Sequence, residues 1–186
     1  MAAASEIDVI KSEIAPMSVE FYHESTALGW IDGDIELLRG IPVKKISKSP
    51  LHEYLIERLQ EWLLKQIPSG YRLLKERPLT THDSQPEPDL MVVQGKIDDF
   101  KYKHPQSASL VIEVCLNTAD RDRLKAAIYA EAGVSEYWIV EPETQSVTVH
   151  RNPTHGVYLD VEVIEDGDAS PKTFVCGDLS LSELFD

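Results

Sequence analysis

Two short apolar runs in this chain each carry one acid. Asp89 opens the first, Pro88-Asp89-Leu90-Met91-Val92-Val93, and Glu113 interrupts the second, Ser109-Leu110-Val111-Ile112-Glu113-Val114-Cys115. A carboxylate inside a run that reads as a buried strand loses its hydration and needs a partner, usually a cation or a metal. On neighbouring strands the two acids can hold one divalent ion between them. Lys125 sits on the next predicted helix, close enough in sequence to return over the strand end. An acid, a second acid and a lysine are the parts of a magnesium-dependent phosphodiester-cleaving site.

This ordered set resembles the PD-(D/E)XK nuclease superfamily, in which Pro-Asp is followed by Glu-x-Lys on the next strand. It is more closely similar to the Uma2-type family of restriction endonucleases. The likeness runs from about Ile31 to Phe185. It is densest at Glu87-Pro88-Asp89, at Val111-Ile112-Glu113-Val114, and from Lys125 through Ala130-Glu131-Ala132-Gly133-Val134-Ser135-Glu136-Tyr137-Trp138-Ile139-Val140. Cys115 stands where the superfamily places its strand lysine. The Uma2-type family also lacks that lysine and supplies it from the following helix, where Lys125 stands.

The resemblance implies an α/β fold with a restriction-endonuclease-like core and hydrolysis of DNA. It implies Mg2+ or Mn2+ held by Asp89, Glu113 and the backbone carbonyl of Cys115. Lys125 would orient a water or offset developing charge, and a homodimer would cut both strands. His52 matches a histidine position of the family and could touch a phosphate or a water near the metal. Its plain alternative is a helix-start histidine paired with Glu53 or a backbone group. Glu36 and Gly40 fit the family's opening Glu-Leu-x-x-Gly-Glu segment, while Arg39 and Ile41 depart from it. Glu36 could approach the site, but reads first as a solvated strand glutamate.

The elements that must position these residues follow from periodicity and punctuation. Residues 1–17 read as an N-terminal arm and 18–186 as one domain. Ser18 offers a cap for a short helix from Val19 to Glu24. Arg39-Gly40 between Ile35-Glu36-Leu37-Leu38 and Ile41-Pro42-Val43-Lys44-Lys45-Ile46 is a hairpin signal. Ser49-Pro50 starts a helix that runs to about Gln66, with Leu51, Leu55, Leu59, Trp62 and Leu63 on its apolar face. Glu57 reads as a surface residue. Tyr71–Lys75 and Asp89–Val93 are strands separated by a proline-rich loop at 82–88, and 95–106 is a polar surface excursion.

Leu110–Cys115 is apolar on both faces, as in the centre of a covered sheet, with Val111, Glu113 and Cys115 sharing one face. Cys115 has no Cys-His pattern beside it and reads as packing. Asn117-Thr118-Ala119-Asp120 begins the next helix, whose apolar face is Leu124, Ala127, Ile128 and Ala132 and which Gly133 ends. Asp120 or Asp122 could orient Lys125. Val134–Val140, Val147–His150 and Val157–Ile164 then read as a meander, with turns at 142–145 and 152–156. Glu165–Asp168 has the wrong spacing for a calcium loop and reads as an acidic turn.

The chain has 186 residues, 42% of them hydrophobic and 27% charged, enough for one domain with a real core. It holds no apolar run near the roughly 20 residues that span a bilayer, and its start carries no basic or apolar export signal. Cys115 and Cys176 are far apart and fit reduced thiols in the cytoplasm. The formal charge of −14 opposes loose binding to DNA. Lys44, Lys45 and Lys48, Arg72, Lys75 and Arg77, and Lys96, Lys101 and Lys103 could offset it by gathering on one face. The charge also supports a rival reading, a catalytically inactive nuclease-fold domain that binds or regulates. A basic stripe beside the carboxylates favours the enzyme; an acidic rim, or Lys125 turned away, favours the rival.

Overall fold

The Ser18 side chain accepts the N–H of Phe21 at 3.2 Å and starts helix α1, Val19–Ala27, three residues longer than the sequence predicts. Arg39 and Gly40 both take positive φ, 53° and 72°, and fold Ile35–Leu38 (β1) back on Ile41–Lys44 (β2). That is the turn geometry that matches strand twist in a two-residue hairpin. Val19 and Tyr22 of α1 pack on Leu37, so the hairpin is clamped from one side. The computed structural model describes residues 15–45, 48–115 and 119–186. The arm over residues 1–14, the hairpin end at Ile46, the cap at Asn117-Thr118 and the side chains of Asp120 and Asp122 lie outside the described residues.

Ser49 caps helix α2, Pro50–Gln66, through the N–H of His52 at 3.2 Å. Its buried stripe is His52, Leu55, Ile56, Leu59 and Leu63. Leu51, expected in that stripe, is 50% exposed, and the neighbouring His52 takes the buried position instead. Six strands then form one mixed sheet: Tyr71–Lys75 (β3), Leu90–Gln94 (β4), Leu110–Val114 (β5), Glu136–Glu141 (β6), Ser146–Thr154 (β7) and Val157–Ile164 (β8), in that spatial order. The β5–β6 pair is parallel and the others are antiparallel. Helix α3, Ala119–Glu131, makes the crossover that a parallel pair requires.

The sheet is covered on both faces. Leu55, Ile56, Leu59 and Leu63 of α2 pack with Leu90, Val92, Leu110, Ile112 and Trp138 on one side. Tyr129 and Ala130 of α3 pack with Met91, Val93, Val111, Tyr137 and Ile139 on the other. Burying one such aliphatic side chain contributes about 1.5–3 kcal/mol, so these two layers dominate the fold's stability. β5 is therefore central, and its residues are buried on both faces, as its near-continuous apolar run requires.

Three details depart from the sequence reading. The excursion at 95–106 contains a turn of 3-10 helix, Ile97–Phe100. Leu124, expected on the buried face of α3, is 38% exposed, and Lys125 and Tyr129 take the buried positions. β7 continues to Thr154, with Asn152 at φ 57°, so the turn is confined to His155 and Gly156. Asp168–Ala169 (β9) pairs with Leu179–Ser180 (β10), and helix α4, Leu181–Phe185, buries Leu181 and Leu184 under the sheet. β8 is a free edge of the six-stranded sheet, with Val157, Leu159, Val161 and Val163 facing solvent.

Candidate active site

The register that pairs Leu90 with Ile112 brings Asp89 to the position opposite Glu113, just where the β4–β5 ladder ends. Residues directly opposite across an antiparallel pair share a face. Asp89 Oδ2 accepts the N–H of Val114 at 2.9 Å, so the aspartate's side chain takes over the end of the ladder. His52 Nε2 of α2 stands 3.3 Å from the same oxygen, while its buried Nδ1 has no hydrogen-bond partner among the described residues. The histidine thus faces Asp89 rather than Glu53.

Glu113 is met from the other layer. Lys125 and Tyr129, one helical turn apart on α3, both reach its Oε1: Lys125 Nζ at 2.9 Å and the Tyr129 hydroxyl at 2.8 Å. Lys125 Nζ also lies 3.2 Å from Glu36 Oε2, which accepts the N–H of Glu87 at 3.3 Å. Arg121, one turn earlier on α3, stands 3.9 Å from Glu36 Oε1 and donates to the carbonyl of Lys44 at 2.8 Å. Glu36 is only 3% exposed, which corrects the expectation of a solvated strand glutamate.

Asp89, Glu113 and Lys125 are each 7% exposed, so charge is concentrated where water is scarce. Burial pushes the Glu113 carboxyl up to about 7 against the opposing pull of Lys125, with Asp89 and Glu36 adding to the rise. For Lys125, burial alone disfavours the ammonium, yet Glu113 and Glu36 together outweigh it and hold it charged. The phenol of Tyr129 is raised well above its ordinary value by burial and by Glu113, so it stays a donor. Glu136 is a useful contrast. It is 1% exposed and accepts from Trp138, Arg151, Lys172 and Thr173, a saturated structural carboxylate. Asp89 and Glu113 differ from it, since the bonds described for each fall on a single oxygen.

Glu36 and Glu113 both meet the Lys125 ammonium, Arg121 stands near Glu36, and Asp89 opposite Glu113 has no cation but His52 beside it among the described residues, so three carboxylates face two fixed positive charges. Carboxylate oxygen is the donor a hard divalent cation selects, and one such ion would balance that excess. In their chemistry these residues fit a magnesium-type ion. The described residues do not, however, gather any group of three or more His, Cys, Asp or Glu already spaced to hold a metal. Cys115 follows Glu113 at the end of β5, its N–H donating to the carbonyl of Val140 at 2.9 Å.

The comparisons with known proteins now bear on this geometry. Residues 22–182 match the family Uma2, described as "Putative restriction endonuclease". The chain belongs to the Uma2 family. The match begins nine residues before the likeness read from the sequence, taking in most of α1. A solved structure of a "putative nuclease belonging to DUF820" from Anabaena variabilis is similar over 91% of this chain and 98% of that one, with a TM-score of 0.75 at 18% identity. At that identity the likeness bears on the fold, an α/β nuclease-like architecture. No curated protein sequence matches the chain.

The sequence reading leaves open whether Glu36 joins the cluster, favouring a solvated position, and gives Tyr129 no role in it. Glu36 carries the same signal as Glu113, a single acid inside an apolar run, Ile35-Glu36-Leu37-Leu38. Tyr129 stands four residues after Lys125, the spacing that places two helical side chains on one target.

Proposed function

We propose that the protein is a divalent-metal-dependent endonuclease that hydrolyses phosphodiester bonds in DNA. Membership of a restriction-endonuclease family supports nuclease function. The observation that carries the finer reading is the meeting of Lys125 with Glu113 beside Asp89, with all three side chains buried. Asp89 and Glu113 are the residues that would hold Mg2+ or Mn2+, with the carbonyl of Cys115 as a third oxygen donor. A bound ion supplies positive charge for the phosphate oxygens and acidifies a water.

The chain's own groups do the rest. Lys125, kept charged by its two glutamates, donates hydrogen bonds to the attacking water or to the phosphate as charge develops. Glu36 and Tyr129 are positioning residues: one holds the ammonium from behind, the other fixes the carboxylate it serves. His52 orients Asp89 and can contact a phosphate. Lys125 turned into the site, and uncompensated cations in a cleft beside it (below), favour the enzyme over the inactive binding module.

We take residues 18–186 as one domain and place the protein in the cytoplasm, in keeping with Cys115 and Cys176 standing outside any disulfide. No described helix is long and apolar enough to cross a membrane. A homodimer is part of this reading by resemblance. The exposed Val157, Leu159, Val161 and Val163 on the sheet's free edge support it, and light scattering tests it.

Cleavage of supercoiled and linear DNA with magnesium or manganese tests the proposal. Wild type should cut only with metal, and Asp89→Ala, Glu113→Ala and Lys125→Ala should each abolish cutting. If wild type is inert, a calorimetric metal titration decides: binding abolished by Asp89→Ala keeps the metal site, whereas no binding supports the regulatory module.

A further inference from the structure

A cleft of about 760 Å³ opens between α1, the hairpin and the segment 100–106. Its size is within the range of about 300–1,000 Å³ that encloses a small ligand. Its lining inverts the charge of the molecule. Lys45, Arg77, Lys101 and Lys103 face it against the single carboxylate of Glu87, in a chain of net charge −14. Lys45 is the one cation neutralised there, by Glu87 at 2.9 Å. Among the described residues no carboxylate stands within ion-pair distance of Arg77, Lys101 or Lys103, whereas Lys44 and Lys48 outside the cleft are both paired.

Flat rings accompany these cations. Tyr102, between Lys101 and Lys103, is 89% exposed, with the Lys101 ammonium 5.0 Å from its ring centre. Exposing an aromatic ring this fully has no packing explanation. In the same lining, His23 and His104 meet edge to face with centres 6.4 Å apart, and His23 is hydrogen-bonded to Gln85. Cations alternating with open rings form the surface that grips single-stranded nucleic acid, by phosphate neutralisation and base stacking. In a duplex both faces of each base are already stacked, so only an unpaired base can use such a platform.

The cleft shares a wall with the carboxylates. Ile35 in its lining precedes Glu36, and Glu87 lies two residues before Asp89, roughly 7 Å of extended chain. We propose that this cleft seats an unpaired nucleotide of the DNA strand to be cut, its base stacked on Tyr102 and its flanking phosphates held by Arg77, Lys101 and Lys103. The substrate is then a single-stranded or locally opened stretch of DNA. This rests on the nuclease reading for the fate of the strand, but the binding itself is separable from cutting.

The test is binding without metal. Fluorescence anisotropy would follow a fluorescein-labelled deoxythymidine dodecamer, the same strand in a duplex, and a uridine dodecamer, in EDTA at about 50 mM salt. Single-stranded DNA should bind at least tenfold tighter than duplex, by analogy with stacking platforms. Tyr102→Ala should weaken it by about 5- to 100-fold. The Lys101→Ala/Lys103→Ala pair should flatten the salt dependence by about 1.4 in logarithmic slope. Lys65→Ala, on α2 away from the cleft, is the control that should change neither.

Duplex bound as tightly as the single strand, or a Tyr102→Ala variant of unchanged affinity, overturns the inference. RNA preferred over DNA overturns its choice of strand. Cutting assayed separately tells the two readings apart. A protein that cuts duplex but fails the anisotropy test keeps the nuclease and loses the cleft, whereas binding through Tyr102 without cutting does the reverse.

Discussion

Lys125 Nζ stands 2.9 Å from Glu113 Oε1, although one belongs to α3 and the other to the central strand β5. A lysine on the strand itself would meet its acid whatever the helix did. Here the pairing depends on how α3 docks on the sheet, which Tyr129 and Ala130 fix by packing on Val111 and Tyr137.

Removing that ammonium leaves Glu36 and Glu113 buried and facing each other. Lys125→Met should destabilise the protein by about 3–5 kcal/mol, the usual cost of stranding a buried partner. Adding Glu36→Gln should restore part of the loss, since residues in one network are not additive. Urea denaturation of the single and double variants measures this; additive losses would mean that Glu36 and Lys125 act independently.

The Glu113 carboxyl, raised to about 7 from an ordinary 4.5, ties stability to pH. Between those values the folded state holds a proton that the unfolded state has lost, so stability falls as pH rises through the window. The contribution is fully present below about pH 4.5 and gone above about pH 7. Glu113→Gln cannot lose that proton, and should gain on wild type by about 3 kcal/mol across the interval without metal. Chemical denaturation at several pH values checks it. A constant difference between the two proteins would refute the shift.

Asp89→Asn keeps an oxygen able to accept the N–H of Val114 and removes the charge. The variant should fold with a stability within about 1 kcal/mol of wild type, the scale of one hydrogen bond. It should bind Mg2+ at least tenfold more weakly. Calorimetry and thermal unfolding on the same sample separate ligand loss from misfolding.

Gly40 tests the hairpin that delivers Glu36. A Cβ there would lie 2.5 Å from the Cβ of Pro16 and 3.0 Å from the carbonyl of Met17, at a φ of 72°. Gly40→Ala should cost about 1–3 kcal/mol, as strained backbone does. Cutting should fall with it through the displaced Glu36, while Gly70→Ala, strained by its own φ of 89° but with open space around its Cβ, should lose stability without losing cutting.

Much of the site was legible because an isolated charge in an apolar run has few physical explanations. Asp89 and Glu113 stood out on that ground, and the order of motifs pointed to Lys125 and to the family that the match over 22–182 then showed. Glu36 carried the same signal but was read as solvated, because its strand is only four residues long and ends in a turn. What meets it is Lys125 on α3, an element distant in sequence that no local pattern reveals. Periodicity likewise misassigned Leu51 and Leu124, since it finds a helix's apolar stripe without knowing which of its edges meets the support. Tyr129 gave no signal of its own until the hydroxyl's partner was visible.

The lysine and tyrosine ride on one helix, and the acids on the sheet and hairpin. Local melting of α3 would withdraw the cation and the phenol together while the sheet stayed intact, leaving Glu113 and Glu36 without the ammonium they share. Regions of a fold open with their own free energies, often well below that of global unfolding. On the proposed mechanism, opening of that one helix would stop cutting, and heat should then silence the protein at a temperature where its sheet is still whole.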